Sequence, residues 1–172
     1  MGQELCECFI VQEIRAMGMD TTTFVRLAVV KNLMNISNNV SIDYFERNIF
    51  PLYLQLSQDK EEKVRKTCAD VVAEIAKVSP LDRLAGKLQQ IYINYTQDPT
   101  SKLVRGTAFS NIGPFIAAFK GTCTIDERIT TNFITVTEKS NNKDVCYYAA
   151  FNFPAFIYVQ GKADWPKFRK LF

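Results

Sequence analysis

A valine–arginine pair recurs along this chain at a nearly fixed interval, and no other feature restricts its fold as much. Val25-Arg26, Val64-Arg65 and Val104-Arg105 stand 39 and 40 residues apart, and a further step of 41 reaches Val145-Cys146. From each valine, apolar residues follow at +4, +8 and +11, which is one face of an α-helix. They are Val25/Val29/Leu33/Ile36, Val64/Cys68/Val72/Ile75, Val104/Ala108/Ile112/Phe115 and Val145/Ala149/Phe153/Phe156. A second stripe precedes each: Cys6/Ile10/Ile14/Met17, Phe45/Ile49/Tyr53/Leu56, Leu84/Leu88/Tyr92/Tyr95 and Ile125/Ile129/Phe133/Val136. The unit is therefore an antiparallel helical hairpin, present four times.

A period of about forty residues falls in the range of HEAT and armadillo repeats. One such hairpin cannot bury both of its apolar stripes, whereas a stack can. The pattern predicts an all-α chain: an α-solenoid of about four HEAT-type hairpins (2–38, 41–78, 80–120 and 124–161) with the start of a fifth at 164–172. Residues 1–172 then read as one solenoid, and as part of a longer one. Gln3, Glu4, Glu7, Gln12 and Glu13 offer the first helix a polar outer face, but Trp165, Phe168, Leu171 and Phe172 offer none at the other end. Turns are expected near 18–22, 57–62, 97–101 and 139–143. Ser79-Pro80-Leu81-Asp82 reads as a helix start with serine as N-cap, and Thr124 to Glu127 has capping-box spacing. Gly121 and Gly161 read as helix stops.

Composition removes most catalytic chemistry. The chain has no histidine, so serine–histidine and cysteine–histidine nucleophile pairs, an imidazole base and histidine-bound zinc are all out. The acid pairs Glu61-Glu62, Asp126-Glu127 and Asp43/Glu46 fall in first turns of helices, where the helix dipole favours them. No catalytic, cofactor-binding or metal-binding residue is expected. The five cysteines, Cys6, Cys8, Cys68, Cys123 and Cys146, are odd in number and scattered. That pattern suits free thiols in a reducing compartment, cytoplasmic or nuclear. Twenty-one basic and 18 acidic residues leave a net charge of +3, too even a balance for a nucleic-acid partner. No apolar run approaches the roughly 18–20 residues that cross a bilayer. Lys162, Lys167, Arg169 and Lys170 read as a solvated helix face.

Two further registers repeat. Asp20, Asp59 and Asp98 precede Arg26, Arg65 and Arg105 by six or seven residues. These six residues form either a ladder of charge-assisted bonds along the stack or a set of independent caps and solvated charges. Asn32, Asn111 and Asn152 share another register, and the last two run into Pro114 and Pro154. These prolines, like Pro51, are expected to kink their helices, either aiming them at a ligand groove or setting the curvature of the stack.

The stretch from Pro51 to Asp59, followed by Lys63-Val64-Arg65-Lys66-Thr67-Cys68-Ala69, resembles the HEAT repeats of scaffold and regulatory subunits of phosphoprotein phosphatases, of the protein phosphatase 2A and protein phosphatase 4 type. Ala150-Phe151-Asn152-Phe153-Pro154-Ala155, with Gly161 and Trp165 beyond it, is similar to a segment of the same family. The resemblance implies a non-catalytic scaffold whose intra-hairpin turns grip a phosphatase catalytic subunit. Mapped here, those turns place Gln58, Asp59, Lys60, Glu61, Gln97, Asp98, Thr100, Ser101 and Lys102 on a polar ridge facing a protein partner. A HEAT adaptor in transport or translation is the alternative. A HEAT-like DNA glycosylase would need a basic face with interleaved aromatics.

Overall fold

The computed structural model describes residues 2–140, 142–161 and 164–169. Among them every regular element is helical. Two compact units divide between Pro80 and Leu81, at the boundary of the second and third hairpins. Each unit holds two hairpins.

In unit one, the first hairpin runs through α1 (Gln3–Leu5), a π-helical turn (Cys6–Ile10) and α2 (Val11–Gly18), and returns along α3 (Thr23–Ser37). The second runs through α4 (Ile42–Tyr44), a second π-turn (Phe45–Ile49) and α5 (Phe50–Ser57), and returns along α6 (Glu62–Val78). The π-turns occupy the same register, and each closes with an N–H reaching back five residues, Val11 to Cys6 and Phe50 to Phe45. Pro51 follows directly. Its missing donor falls where the backbone has already left α-helical pairing, so the helix continues through it. Val29, Leu33, Ile36, Phe45, Ile49, Tyr53, Leu56, Val64, Cys68, Val72 and Ile75 are buried as the stripes require. The first stripe is displaced: Val11 is fully buried, while Met17 is 44% exposed. The π-turn is not the reason, since the same turn in the second hairpin leaves Phe45, Ile49, Tyr53 and Leu56 buried. Ser79 caps the end of α6, donating to the carbonyl of Ile75 at 2.6 Å.

In unit two, α7 (Leu81–Thr96) pairs with α8 (Lys102–Ser110) and α9 (Ile112–Ala117), and α10 (Glu127–Lys139) with α11 (Lys143–Gln160). The short α12 (Trp165–Phe168) lays Phe168 against Phe153 and Phe156 at centroid distances of 5.7 and 5.3 Å. Trp165 is part-exposed, and Lys162, Lys170, Leu171 and Phe172 lie outside the described residues, as does Asn141 of the fourth turn. Stacked aromatics make up much of this core: Tyr92 on Phe115 (4.3 Å), Phe109 on Phe133 (5.5 Å) and Phe133 on Phe156 (4.4 Å). Gly121 and Gly161 both adopt φ of +76°, and Gly161 ends α11. The Thr124–Glu127 capping box does not form. Asp126 is the N-cap, and buried Gln89 holds the loop by accepting from the Asp126 N–H and donating to the Thr124 carbonyl.

Tyr53 and Tyr92 occupy one register in the two middle hairpins. Each donates its hydroxyl to a buried carbonyl of the returning helix, Cys68 at 3.0 Å and Ala108 at 2.7 Å. Tyr53→Phe and Tyr92→Phe are each expected to cost about 1 kcal/mol, since the ring packing survives and one hydrogen bond goes. Equilibrium denaturation checks this; a loss above about 3 kcal/mol would mean that the ring itself had moved.

Candidate functional site

The turns between paired helices share one construction. An aspartate carboxylate accepts a backbone N–H two residues ahead: Thr22 for Asp20 (2.6 Å), Glu61 for Asp59 (2.9 Å) and Thr100 for Asp98 (3.0 Å). An arginine one helical turn later donates back to the carbonyl of that same aspartate, Arg26 to Asp20 and Arg65 to Asp59 at 2.8 Å, and Arg105 to Asp98. These aspartates stand two or three residues ahead of the N-caps of their helices, Thr22, Glu61 and Ser101.

Within unit one the turns are also joined. Arg26 is 5% exposed, and its guanidinium grips Asp59 of the next hairpin through both carboxylate oxygens, at 2.6 and 2.9 Å. Burial acts against the Asp59 carboxylate. The Arg26 bonds and the Glu61 N–H outweigh that cost and hold its pKa below the ordinary aspartate value. The same bond raises the Arg26 pKa. The rung expected between repeated aspartate and arginine is therefore present at this pair.

The nine turn residues divide by exposure. Gln58, Lys60 and Glu61 in unit one, and Gln97, Thr100 and Lys102 in unit two, are exposed. Asp98 and Ser101 are buried, at 5% and 1% exposure, because Asp98 accepts three bonds of its own turn and Ser101 caps Val104 at 3.2 Å. Asp59 is held by Arg26. These three close the turns, and the side chains of the other six are open to solvent.

A groove of about 600 Å³ opens in unit two where α8 faces α10 and the start of α11. Arg105, Leu103 and Tyr148 are among its lining residues. Deeper in the same unit lies Asn152, 1% exposed. Pro114 has no N–H to give to the carbonyl of Ser110, and the helix breaks at Asn111. The Asn152 amide repairs the break, donating to Ser110 at 3.1 Å and accepting from the Gly113 N–H at 2.9 Å. A Cβ on Gly113 would come within 2.5 Å of the Asn152 Oδ1. The Asn111 register and Pro114 were visible in the sequence as a kink, but the bond across two helices was not. In α11, Pro154 lies inside a continuous helix.

Residues 49–79 match the HEAT repeat family. The hairpins are of HEAT type. Serine/threonine-protein phosphatase 4 regulatory subunit 1 of Mus musculus is 29% identical over 150 residues, covering 84% of this chain. The chain spans 16% of the length of that relative. The resemblance carried by Pro51–Asp59 and by the Asn152 segment thus extends over most of the sequence. The crystal structure of an engineered protein aligns with 98% of this chain and 76% of its own, with a TM-score of 0.52 and 14% identity, which speaks for the fold alone. Among the described residues no group of histidine, cysteine and carboxylate side chains could hold a metal ion, and no helix is long and apolar enough to cross a membrane. Among the described residues no cysteine is in a disulfide.

Proposed function

We propose that the chain is part of a non-catalytic scaffold or regulatory subunit that holds a serine/threonine phosphoprotein phosphatase catalytic subunit and directs it to substrates, in the cytoplasm or nucleus. The similarity to a phosphatase 4 regulatory subunit over 150 residues carries this reading. The turn geometry supports it. Lys60 and Glu61, and separately Gln97, Thr100 and Lys102, are exposed on rigid turns closed by buried partners. Exposed side chains on turns closed in this way suit recognition of a protein surface.

Lys60→Glu with Lys102→Glu is expected to leave the melting temperature within a few degrees and to weaken capture of a phosphatase catalytic subunit about tenfold or more. Lys31→Glu with Lys87→Glu, on exposed helix faces away from the turns, serves as the control. Equal loss in both pairs would reduce the effect to net charge. No loss in the turn pair would remove the turns as the binding surface.

A further inference from the structure

The rung formed by Arg26 and Asp59 has no counterpart where the third hairpin meets the fourth. In the fourth turn Ser140 stands in the aspartate register and Cys146 in the arginine register. The turn still closes, with neutral groups. Ser140 Oγ accepts from the Asn142 N–H at 3.1 Å, and Cys146 Sγ lies 4.0 Å from the Ser140 carbonyl. Arg105 bonds the carbonyl of Asp98, and among the described residues no carboxylate pairs with it. Arg105 is among the residues that line the 600 Å³ groove. Leu103, 62% exposed, and Tyr148, 38% exposed, give that groove apolar walls, with Phe109 and Val136 deeper and exposed Gly106 leaving the α8 side open.

We propose that this groove takes an extended segment of a partner protein in which a glutamate or aspartate is flanked by aliphatic side chains. The partner carboxylate sits on Arg105 as Asp59 sits on Arg26, and so supplies the rung that the fourth turn omits. Lys102 adds a second positive charge at the rim, and the aliphatic neighbours cover Leu103 and Tyr148. Asp144, on the opposite wall, opposes a doubly charged phosphate more than a single carboxylate, so the acidic side chain is the favoured ligand. The inference does not depend on which protein the exposed turns hold.

The test uses the whole chain and two fluorescein-labelled nine-residue peptides with glycine–serine flanks, one carrying a leucine–glutamate–leucine core and the other glutamine in place of glutamate. Fluorescence anisotropy should show the glutamate peptide binding at least about tenfold tighter. Gly106→Leu fills the groove from a helical position where an added Cβ meets nothing within 4 Å, and should abolish binding while leaving the fold intact. Ser140→Asp should pair with Arg105 internally, raise the melting temperature and weaken the glutamate peptide at least about tenfold. Equal affinity for the two peptides, no binding of the glutamate peptide at about 1 mM, or undiminished binding in either variant overturns the proposal.

Discussion

Asn152→Ala is expected to destabilise unit two by about 3–5 kcal/mol, the largest effect of any single polar substitution in the chain. The wild-type amide serves three backbone groups: the Gly113 N–H, the Ser110 carbonyl and, within its own helix, the Tyr148 carbonyl at 2.8 Å. Alanine removes all three partners at once. The Tyr148 carbonyl keeps its place in a continuous helix, but Gly113 and Ser110 sit at the break that Pro114 enforces and have no helical alternative. Each orphaned buried group costs about 1–3 kcal/mol. Asn152→Asp separates the two halves of the bond, because a carboxylate still accepts from Gly113 but donates nothing to Ser110. It should fall between wild type and alanine only at acidic pH, where the carboxyl can donate. Gly113→Ala attacks the same contact from the other side, since its Cβ would drive into the Asn152 oxygen. Equilibrium denaturation of the single and double variants gives the coupling. Losses that simply add would show that the two positions act separately, against the geometry described above.

Arg26→Ala should cost about 3 kcal/mol, because it leaves the largely buried Asp59 carboxylate without its bidentate partner. It also frees the carbonyls of Asp20 and Thr21, which Arg26 bonds at 2.8 and 3.1 Å. Arg26→Lys should recover less than half of that loss, since an ammonium cannot bridge both oxygens along the fixed fork of a guanidinium. Removing both partners in Arg26→Ala/Asp59→Ala should cost less than the sum of the single changes. The pair also has a pH signature. The folded pKa of Asp59 lies below its ordinary value near 3.8, so its contribution is complete above that value and disappears as pH falls through the lower, folded pKa. Stability curves of wild type and Arg26→Ala should therefore run parallel from neutral pH down to about 4 and converge below it. A constant gap down to pH 2 would assign the arginine's effect to its carbonyl bonds alone.

The sequence by itself determined the repeat. Four Val-Arg or Val-Cys registers with matching stripes placed every hairpin turn, because helical periodicity is a local property and a hairpin's turn must fall between its two stripes. The glycine stop at 161 was legible in the residue type, whereas Gly121 takes the same positive φ in a turn beyond α9, which already ends at Ala117. The aspartate–arginine ladder was legible only as a choice between two readings, since spacing shows that two groups recur together but not which neighbour each faces. Tertiary structure decided that Arg26 reaches forward to Asp59, that Asp98 and Ser101 are buried while closing their turn, and that Met17 lies off the core. The π-turns leave the apolar spacing of their stripes intact, so periodicity does not reveal them. Asn152 marks the same limit. Its register and its proline were visible, but the Ser110 carbonyl and Gly113 N–H that it satisfies lie about forty residues away, and only packing α11 against the broken helix brings them within reach.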